Sequence, residues 1–394
     1  MTRHTIFIVA GEPSGDLHGS NLVGEILRAE PDIAFEGIGG EKMAAAGVKL
    51  RHDLASEAIM GFTEVLRKLG HIRAILRDTV DWLERNRPDL LILVDYPGFN
   101  LELAEHAKRL GIRTVYYISP QVWAWGKGRV QRIAKLAEKV LVILDFEEAI
   151  YAEAGVSVEY VGHPLVDHLE NLRPDTEFIK KRSASERITV GLLPGSRPQE
   201  IRRHLPLMLR TGELVWKKFP ESRFIVACPH ERTGQLARQI VERHCSKPYA
   251  LDVEVVSGKT YEVIKLSNLC IVASGTATLE TAYSLKPMVV IYKTSLPSWL
   301  LARMLIRVEH IALVNILAKK RVVPEFIQFG ARAKAIAAEV LSLLGDDQRR
   351  AELQLALSEV RDKLGMPGAS ARAARIVIDL LKRPAPRMAV PAEQ

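Results

Sequence analysis

Cysteine is scarce in this chain: three residues in 394, at Cys228, Cys245 and Cys270. They form no CxxC pair, and no Cys/His spacing suits zinc, so neither a disulfide framework nor a metal site is expected. An odd, sparse count suits a reducing cytoplasm. No apolar run approaches the roughly 20 residues that span a bilayer. The first run, Ile6 to Ala10, is only a strand's length and leads into a glycine-rich turn, so no signal peptide is expected. No GxGxxG follows a first strand, which disfavours a dehydrogenase, and the lysine of a Walker A loop is missing. RNP, zinc-finger and base-stacking motifs are absent, so nucleic acid is not an expected partner. Spacing assigns no Ser/His/Asp triad.

What is present is an ordinary globular composition, 47% hydrophobic and 26% charged, on a chain long enough for two domains. The net charge of +8 points to an anionic partner, either lipid or a phosphorylated substrate. Short Val/Ile/Leu runs at Thr5–Ala10, Leu90–Val94, Arg113–Ser119 and Lys139–Leu144 alternate with helix-length segments such as Ser14–Arg28 and Glu102–Leu110. Unalternating apolar strands between amphipathic helices predict a parallel sheet covered on both faces. The alternation restarts at Ile188–Leu193 and continues through Gln199–Phe219, Arg223–Cys228, Glu231–Cys245, Val253–Val256, Leu269–Ala273 and Met288–Tyr292. Helical patterns fill Ala331–Leu344, Arg349–Leu364 and Ala369–Lys382.

The fold class read from this pattern is α/β, with two Rossmann-like domains facing a cleft, either GT-B-like, as in a glycosyltransferase, or periplasmic-binding-like, the second disfavoured by a cytoplasmic context. The expected divisions are residues 1–170 for an acceptor- and membrane-facing domain and 187–365 for a nucleotide-sugar domain. Residues 366–394 form a C-terminal helix and tail, free to return to the first domain. The polar stretch Asn171–Glu186 reads as the linker between domains.

Two turns in the second domain suit a diphosphate. Leu193–Arg197 follows one predicted strand: Gly195 permits the tight turn, Ser196 can donate to a phosphate oxygen, and Arg197 offers a planar fork. Ser274–Glu280 follows another strand. Its small residues Gly275, Thr276 and Ala277 open a helix whose first amides suit an anion, and Glu280 lies one turn on, placed for ribose hydroxyls. Either turn alone also reads as a plain βα connection with a capped helix. In the first domain, Asp95 ends the strand Leu90–Val94 and is placed to take a proton from an acceptor hydroxyl. Glu12, Ser14 and Asp16 lie in the first glycine-rich turn, where the acids suit contacts to hydroxyls rather than to phosphate. Trp123, Trp125 and Arg129 belong to an aromatic, basic loop fit for sugar, acyl or phosphate groups.

These motifs also occur in ordered blocks: AGEPSGDLHG at 10–19, GIGGEKM at 37–43, MGFTEVL at 60–66, DYPGFN at 95–100, SPQVWAWGKGR at 119–129, GHPLVD at 162–167, LLPGSR at 192–197 and SGTATLE at 274–280. Together they closely resemble the lipid-A-disaccharide synthase family, from the start of the chain to about residue 330. The resemblance implies a cofactor-free, metal-independent inverting glycosyltransferase. Its substrates would be UDP-2,3-diacylglucosamine and 2,3-diacylglucosamine 1-phosphate, and its products the β(1→6) disaccharide 1-phosphate and UDP. It implies Asp95 as base, Arg197 and the 275–277 backbone on the diphosphate, Glu280 on the ribose, and Asn315 as a further UDP contact. It also implies a cytoplasmic protein held peripherally on the inner face of the inner membrane; whether it works as a homodimer stays open. Met60–Arg77 and Ser298–Val308, each mixing apolar and basic residues, have the composition of helices that lie on anionic lipid. A UDP-N-acetylglucosamine 2-epimerase-like isomerase or a non-catalytic nucleotide-sugar module would share the second-domain turns, but neither needs both Asp95 and the Trp123/Trp125 loop.

Overall fold

The computed structural model describes residues 4–57, 62–123, 128–183, 187–245, 251–305 and 309–383. The chain divides into two compact units, Met1–Glu170 with Leu364–Gln394, and Asn171–Lys363.

The first unit begins β1 (Thr5–Ala10), α1 (Pro13–Ala29), β2 (Ala34–Gly39), α2 (Glu41–Ala45), β3 (Lys49–Asp53), α3 (Leu54–Glu57) and α4 (Phe62–Asn86). It continues β4 (Leu90–Val94), α5 (Pro97–Arg109), β5 (Thr114–Tyr117), α6 (Gly128–Leu136), β6 (Lys139–Val142), α7 (Asp145–Glu153), β7 (Val158–Tyr160) and α8 (Pro164–Asn171). The seven strands are parallel, in the order β3-β2-β1-β4-β5-β6-β7.

The second unit runs α9 (Thr176–Ser183), β8 (Thr189–Leu193), α10 (Pro198–Trp216), β9 (Arg223–Cys228), α11 (Glu231–Cys245), β10 (Val253–Ser257), α12 (Thr260–Leu266) and β11 (Leu269–Ala273). It ends α13 (Thr276–Tyr283), β12 (Met288–Tyr292), α14 (Leu296–Leu305), α15 (Leu313–Ala318), β13 (Glu325–Ile327), α16 (Ala333–Gly345) and α17 (Asp347–Lys363). Its six parallel strands are ordered β10-β9-β8-β11-β12-β13.

Both faces of the first sheet are covered, which is why β1 carries no polar alternation. Ile6, Ile8 and Ala10 pack with Leu22, Val23 and Ile26 of α1, while Phe7 and Val9 pack with Trp82 and Leu83 of α4 and Leu103 of α5. The α1 face is completed by α18 (Ala369–Lys382), which comes back from the end of the chain. Its stripe Ala373, Ala374, Val377, Ile378 and Leu381 follows helical spacing and is buried. Both ends of α18 are tied down. The Asp167 carboxylate accepts from the amides of Gly368, Ala369 (3.2 Å) and Ser370 (3.0 Å), a negative charge at the positive end of the helix. At the other end the Arg113 guanidinium donates to the carbonyls of Leu380 (2.7 Å) and Arg383 (3.0 Å). The same guanidinium is held in a two-pronged pair by Glu138, at 2.8 Å on each side.

The stretch expected to link the domains carries a helix over its described part. Asn171–Glu186 contains α9, a helix with no fully buried residue, so its composition reads as a linker. It is fastened by charge: Arg182 pairs with Glu254, and Asp175 with Lys259 at 2.9 Å. Lys49–Asp53 and Val158–Tyr160 are the sheet's outer strands, only partly buried, and lack the apolar run that marks the inner ones.

Asp167→Ala removes the acceptor for three α18 amides. It should destabilise the first unit by about 1–2 kcal/mol, read by chemical denaturation, and should speed proteolysis within α18; unchanged stability would mean that solvent caps this helix equally well.

Candidate functional site

In a parallel sheet, ligands bind beyond the C-terminal strand ends, at the point where the strand order reverses. In the first unit that point lies between β1 and β4, with Ala10 opposite Val94. The glycine-rich turn leaves β1 there, and Asp95 leaves β4. In the second unit it lies between β8 and β11, with Leu193 opposite Val272. Leu193–Arg197 leaves β8 and Ser274–Glu280 leaves β11, so the two turns predicted to hold a diphosphate emerge from adjacent strands.

Asp95 and Tyr96 both lie in the left-handed region, at φ 46° and 45°, and Ile118 at the end of β5 lies at φ 59°. Such conformations cost non-glycine residues about 1–3 kcal/mol each and persist only where the surroundings impose them. Here the surroundings are specific. Asn100 Nδ2 donates to the Asp95 carbonyl at 2.7 Å and to the Val94 carbonyl at 3.2 Å. Tyr116 Oη donates to the Asp95 carbonyl at 2.7 Å. The Asp95 amide donates to the carbonyls of Tyr117 and Ile118 at 3.3 and 3.2 Å. Gly11 packs against the Tyr96 ring so closely that a Cβ there would lie 2.2 Å from a ring carbon. The backbone of Asp95 is therefore pinned at both polar atoms. Burial, reinforced by the charge of Glu12, pushes the Asp95 carboxyl up to about 6.

Among the other first-unit residues, Ser14 is exposed in the first turn of α1. Asp16, expected to contact hydroxyls, is bonded within the chain. Its carboxylate is buried and accepts from the amides of Gly40 (2.8 Å), Met43 (3.0 Å) and Lys42 (3.1 Å), so it fastens α2 to α1 rather than offering its oxygens to a hydroxyl. Trp123 donates its indole N–H to Glu147 Oε1 at 3.1 Å and meets Phe146 edge-on, with ring centroids 5.6 Å apart. Arg129 opens α6, near enough for its charge to act on Tyr116. Trp125 lies outside the described residues.

In the second unit, Ser196 and Arg197 are exposed at the start of α10. Gly195 has φ 113°, and a Cβ there would fall 2.3 Å from Glu200 Oε2. That carboxylate accepts from the amides of Ser196 (2.9 Å) and Arg197 (3.2 Å), and Oε1 pairs with the Arg197 guanidinium at 3.3 Å. One turn further along α10, buried His204 accepts the Lys293 amide on Nε2 at 3.1 Å. Nδ1 therefore carries the proton and donates to the Pro194 carbonyl at 2.9 Å. Burial lowers its pKa, keeping it neutral while it ties the Leu193–Arg197 turn to the end of β12.

Gly275 caps α13, and its carbonyl accepts from the Thr278 amide (3.0 Å) and hydroxyl (2.7 Å). The amides before Thr278 begin the helix and so have no carbonyl one turn back to pair with. Thr276 is exposed and Ala277 half-buried. Burial raises the Glu280 carboxyl pKa, and among the described residues no hydrogen bond reaches that carboxylate. Asn315, expected as a UDP contact, is bonded within the chain. It is fully buried, and its amide is used up: Oδ1 accepts from Val322 and Val323 (both 2.8 Å), and Nδ2 donates to the Val323 carbonyl (2.9 Å) and Glu325 (2.6 Å). Glu325 also accepts the Ile311 and Ala312 amides at 3.1 and 3.0 Å, and the Ile311 carbonyl accepts from Ser274 Oγ at 3.1 Å. Asn315 thus reaches the second turn through a chain of bonds. Sequence does not single out Glu147, Glu200 or His204; for the two glutamates the available signal is an acid at the third position of a helix, Leu144 to Glu147 and Arg197 to Glu200.

These features define an α/β enzyme fold with two Rossmann-like units of the GT-B class. Solved structures of that architecture match nearly the whole chain. A UDP-GlcNAc 2-epimerase from Neisseria meningitidis, bound to UDP-GlcNAc, aligns with a TM-score of 0.63 at 14% identity, covering 95% of this chain and 100% of its own. The glycotransferase of kitacinnamycin aligns at 0.59 and 16% identity, covering 96% and 100%. At such identities the likeness shows the fold alone. Sequence goes further: the family model described as lipid-A-disaccharide synthetase matches residues 6–377. The lipid-A-disaccharide synthase of Syntrophus aciditrophicus is 45% identical over 97% of this chain and 99% of its own length, and that of Geobacter sulfurreducens is 42% identical over 96% and 98%. The chain belongs to the lipid-A-disaccharide synthetase family, a hexosyltransferase that forms the lipid A disaccharide.

Asp95 should titrate near 6, and Glu12→Gln should lower that value, because removing a neighbouring negative charge eases ionisation. Carboxyl-resolved NMR titration of the two proteins checks this; a value that stays put in Glu12→Gln would leave burial as the whole cause.

Proposed function

We propose that the chain joins UDP-2,3-diacylglucosamine to 2,3-diacylglucosamine 1-phosphate, with inversion at the anomeric carbon. The observation that carries the donor half is the pair of turns at the strand-order reversal of the second unit, with the unpartnered Glu280 carboxylate one helical turn beyond the free amides of α13. In this reading the 275–277 amides and Arg197 take the diphosphate, which puts fixed positive dipoles and a cation where charge builds up as UDP leaves. The Ser196 hydroxyl adds a further donor. Glu280 takes the ribose hydroxyls.

Asp95 serves as base. The acceptor's 6-hydroxyl oxygen forms the new bond to the anomeric carbon, its proton passes to the Asp95 carboxylate, and the bond to UDP breaks with its electron pair leaving on the diphosphate. A base with a pKa near 6 is largely ionised at neutral pH yet basic enough to accept that proton in the transition state. Below about pH 6 the carboxyl is protonated and the rate should fall. The epimerase-like alternative shares the fold, but it requires no acceptor, which makes acceptor dependence the deciding measurement.

Acceptor-dependent UDP release is the expected result when both diacylated sugars are supplied; release indifferent to acceptor would overturn the synthase reading. Asp95→Asn should cut turnover by about a hundredfold or more while leaving UDP affinity nearly intact. If UDP binding collapsed as well, the base assignment would be wrong.

Both substrates carry acyl chains, and the protein is proposed to work at the cytoplasmic face of the inner membrane. Among the described residues no helix is long and apolar enough to cross a bilayer. The two basic, apolar segments differ in exposure. In the first, Ile75 and Leu76 of α4 are core residues, and the side chains of Leu66 and Leu69 lie outside the described residues. In the second, Leu300 of α14 is 61% exposed on the same helix as the exposed Arg303, as is Leu296 (56%) just before the segment, while the side chains of Leu301, Met304, Leu305 and Ile306 lie outside the described residues. That is the composition of a segment that rests on anionic lipid. Flotation with anionic vesicles should show binding that weakens in high salt and in Leu300→Glu; no binding at low salt would remove the membrane from the proposal.

A further inference from the structure

Glu147 is a buried carboxylic acid with no part in the reaction described above. It lies in the first turn of α7, where an acidic residue ordinarily reaches back to a free amide from the solvent side. It does accept the Leu144 amide on Oε2, at 3.3 Å. A cap alone, however, does not account for a carboxyl that is 1% exposed, because burying one is costly unless its partners need it there. Its other oxygen supplies the reason: Oε1 accepts the Trp123 indole N–H at 3.1 Å, and the neighbouring Phe146 ring closes on the indole edge-on.

Trp123 ends the described part of the segment that follows β5, and the backbone at the start of that segment is locked to Asp95, whose amide donates to Tyr117 and Ile118. Asp95 is also near enough for its charge to act on Glu147.

We propose that Glu147 is a positioning residue for the acceptor side of the site: it holds Trp123, and with it the 119–123 segment, in fixed register beside Asp95. The proposal rests on the glycosyl-transfer reading above. Glu147 itself touches neither substrate. It fixes the indole plane through one oxygen and the start of α7 through the other, so that the 119–123 segment beside Asp95 does not have to be ordered each time a substrate binds.

Three variants test it: Glu147→Leu, which fills the space but accepts nothing; Glu147→Gln, whose amide oxygen still accepts the indole N–H; and Trp123→Phe, which keeps a ring and loses the donor. Glu147→Leu and Trp123→Phe should each lower kcat/KM for the acceptor about tenfold or more, while KM for the UDP-sugar moves less than about twofold. The double variant should be no worse than either single one, because both remove the same bond. Glu147→Gln should stay within about threefold of the wild type. Tryptophan emission should shift in Glu147→Leu, and that shift should vanish when Trp123 is Phe. Wild-type acceptor kinetics in a folded Glu147→Leu, equal losses on donor and acceptor, or a Gln variant as damaged as the Leu variant would each overturn the proposal. Should Glu147→Leu not fold, unaltered acceptor kinetics in Trp123→Phe would overturn it. A wild-type chain that releases no UDP on adding acceptor would sink the transfer reading instead, while the emission shift still reports the Glu147–Trp123 bond.

Discussion

The reversal of strand order in each parallel sheet is the constraint on which the rest depends. Parallel strands deliver all their C-terminal ends to one edge, and helices cover both faces, so that edge is where backbone can be left open to a ligand. At the reversal, the two flanking connections run to opposite faces of the sheet and part from one another. In the first unit the parting connections are the Gly11 turn and the Asp95 turn; in the second they are the Leu193–Arg197 and Ser274–Glu280 turns. Four of the motifs that stand out in the sequence therefore mark two places rather than four, and each place joins residues about 80 positions apart in the chain.

Placing a residue at such an edge does not fix its geometry, and the two units solve that problem differently. In the first, Asp95 is forced into a left-handed conformation and held there by side chains that take its carbonyl, leaving its carboxylate to a poorly solvated pocket beside Glu12. The strain and the raised pKa share one origin, since the packing that pins the backbone also excludes the water that would stabilise the charge. In the second unit only glycines take positive φ in the turns, Gly195 at 113° and Gly275 at 153°, so no side chain is strained there, and at Gly195 the absent Cβ makes room for Glu200. That carboxylate meets the Ser196 and Arg197 amides and the Arg197 guanidinium, which are the groups a diphosphate would use. An anion entering there meets donors already aligned on a negative group, and it must either share them with Glu200 or displace it.

Most of the fold was legible in the sequence because buried parallel strands declare themselves as short apolar runs. The same rule explains what was missed. Strands β2, β3, β7 and β13 are short, edge-placed or interrupted by glycine and charge. The α9 helix is anchored by ion pairs rather than by an apolar stripe, so its sequence looks like a tether. The candidate site divided along a similar line. Residues placed at strand ends, such as Asp95, Arg197 and Glu280, follow from local pattern. Those whose work is to hold other residues do not, because their partners are distant in sequence: Asp16 serves Gly40–Met43, His204 serves Pro194 and Lys293, and Glu147 serves Trp123.

Asp16 and Asn315 make that distinction concrete. Each has the chemistry of a binding residue and lies in a motif that suggests one, yet each spends its polar atoms within the chain, Asp16 on backbone amides and Asn315 on backbone and Glu325. A side-chain amide has two donors and two acceptor sites, and all four of Asn315's are taken, so it can offer a ligand nothing without first releasing its own loop. Glu280 is the reverse case, a half-buried carboxylate with no described hydrogen bond, so its oxygens stay open to a partner. A side chain whose polar atoms are already bonded can serve a ligand only by giving up those bonds, whereas an open carboxylate near a helix start accepts new donors without that loss, and the proposed ribose contact at Glu280 draws on that asymmetry.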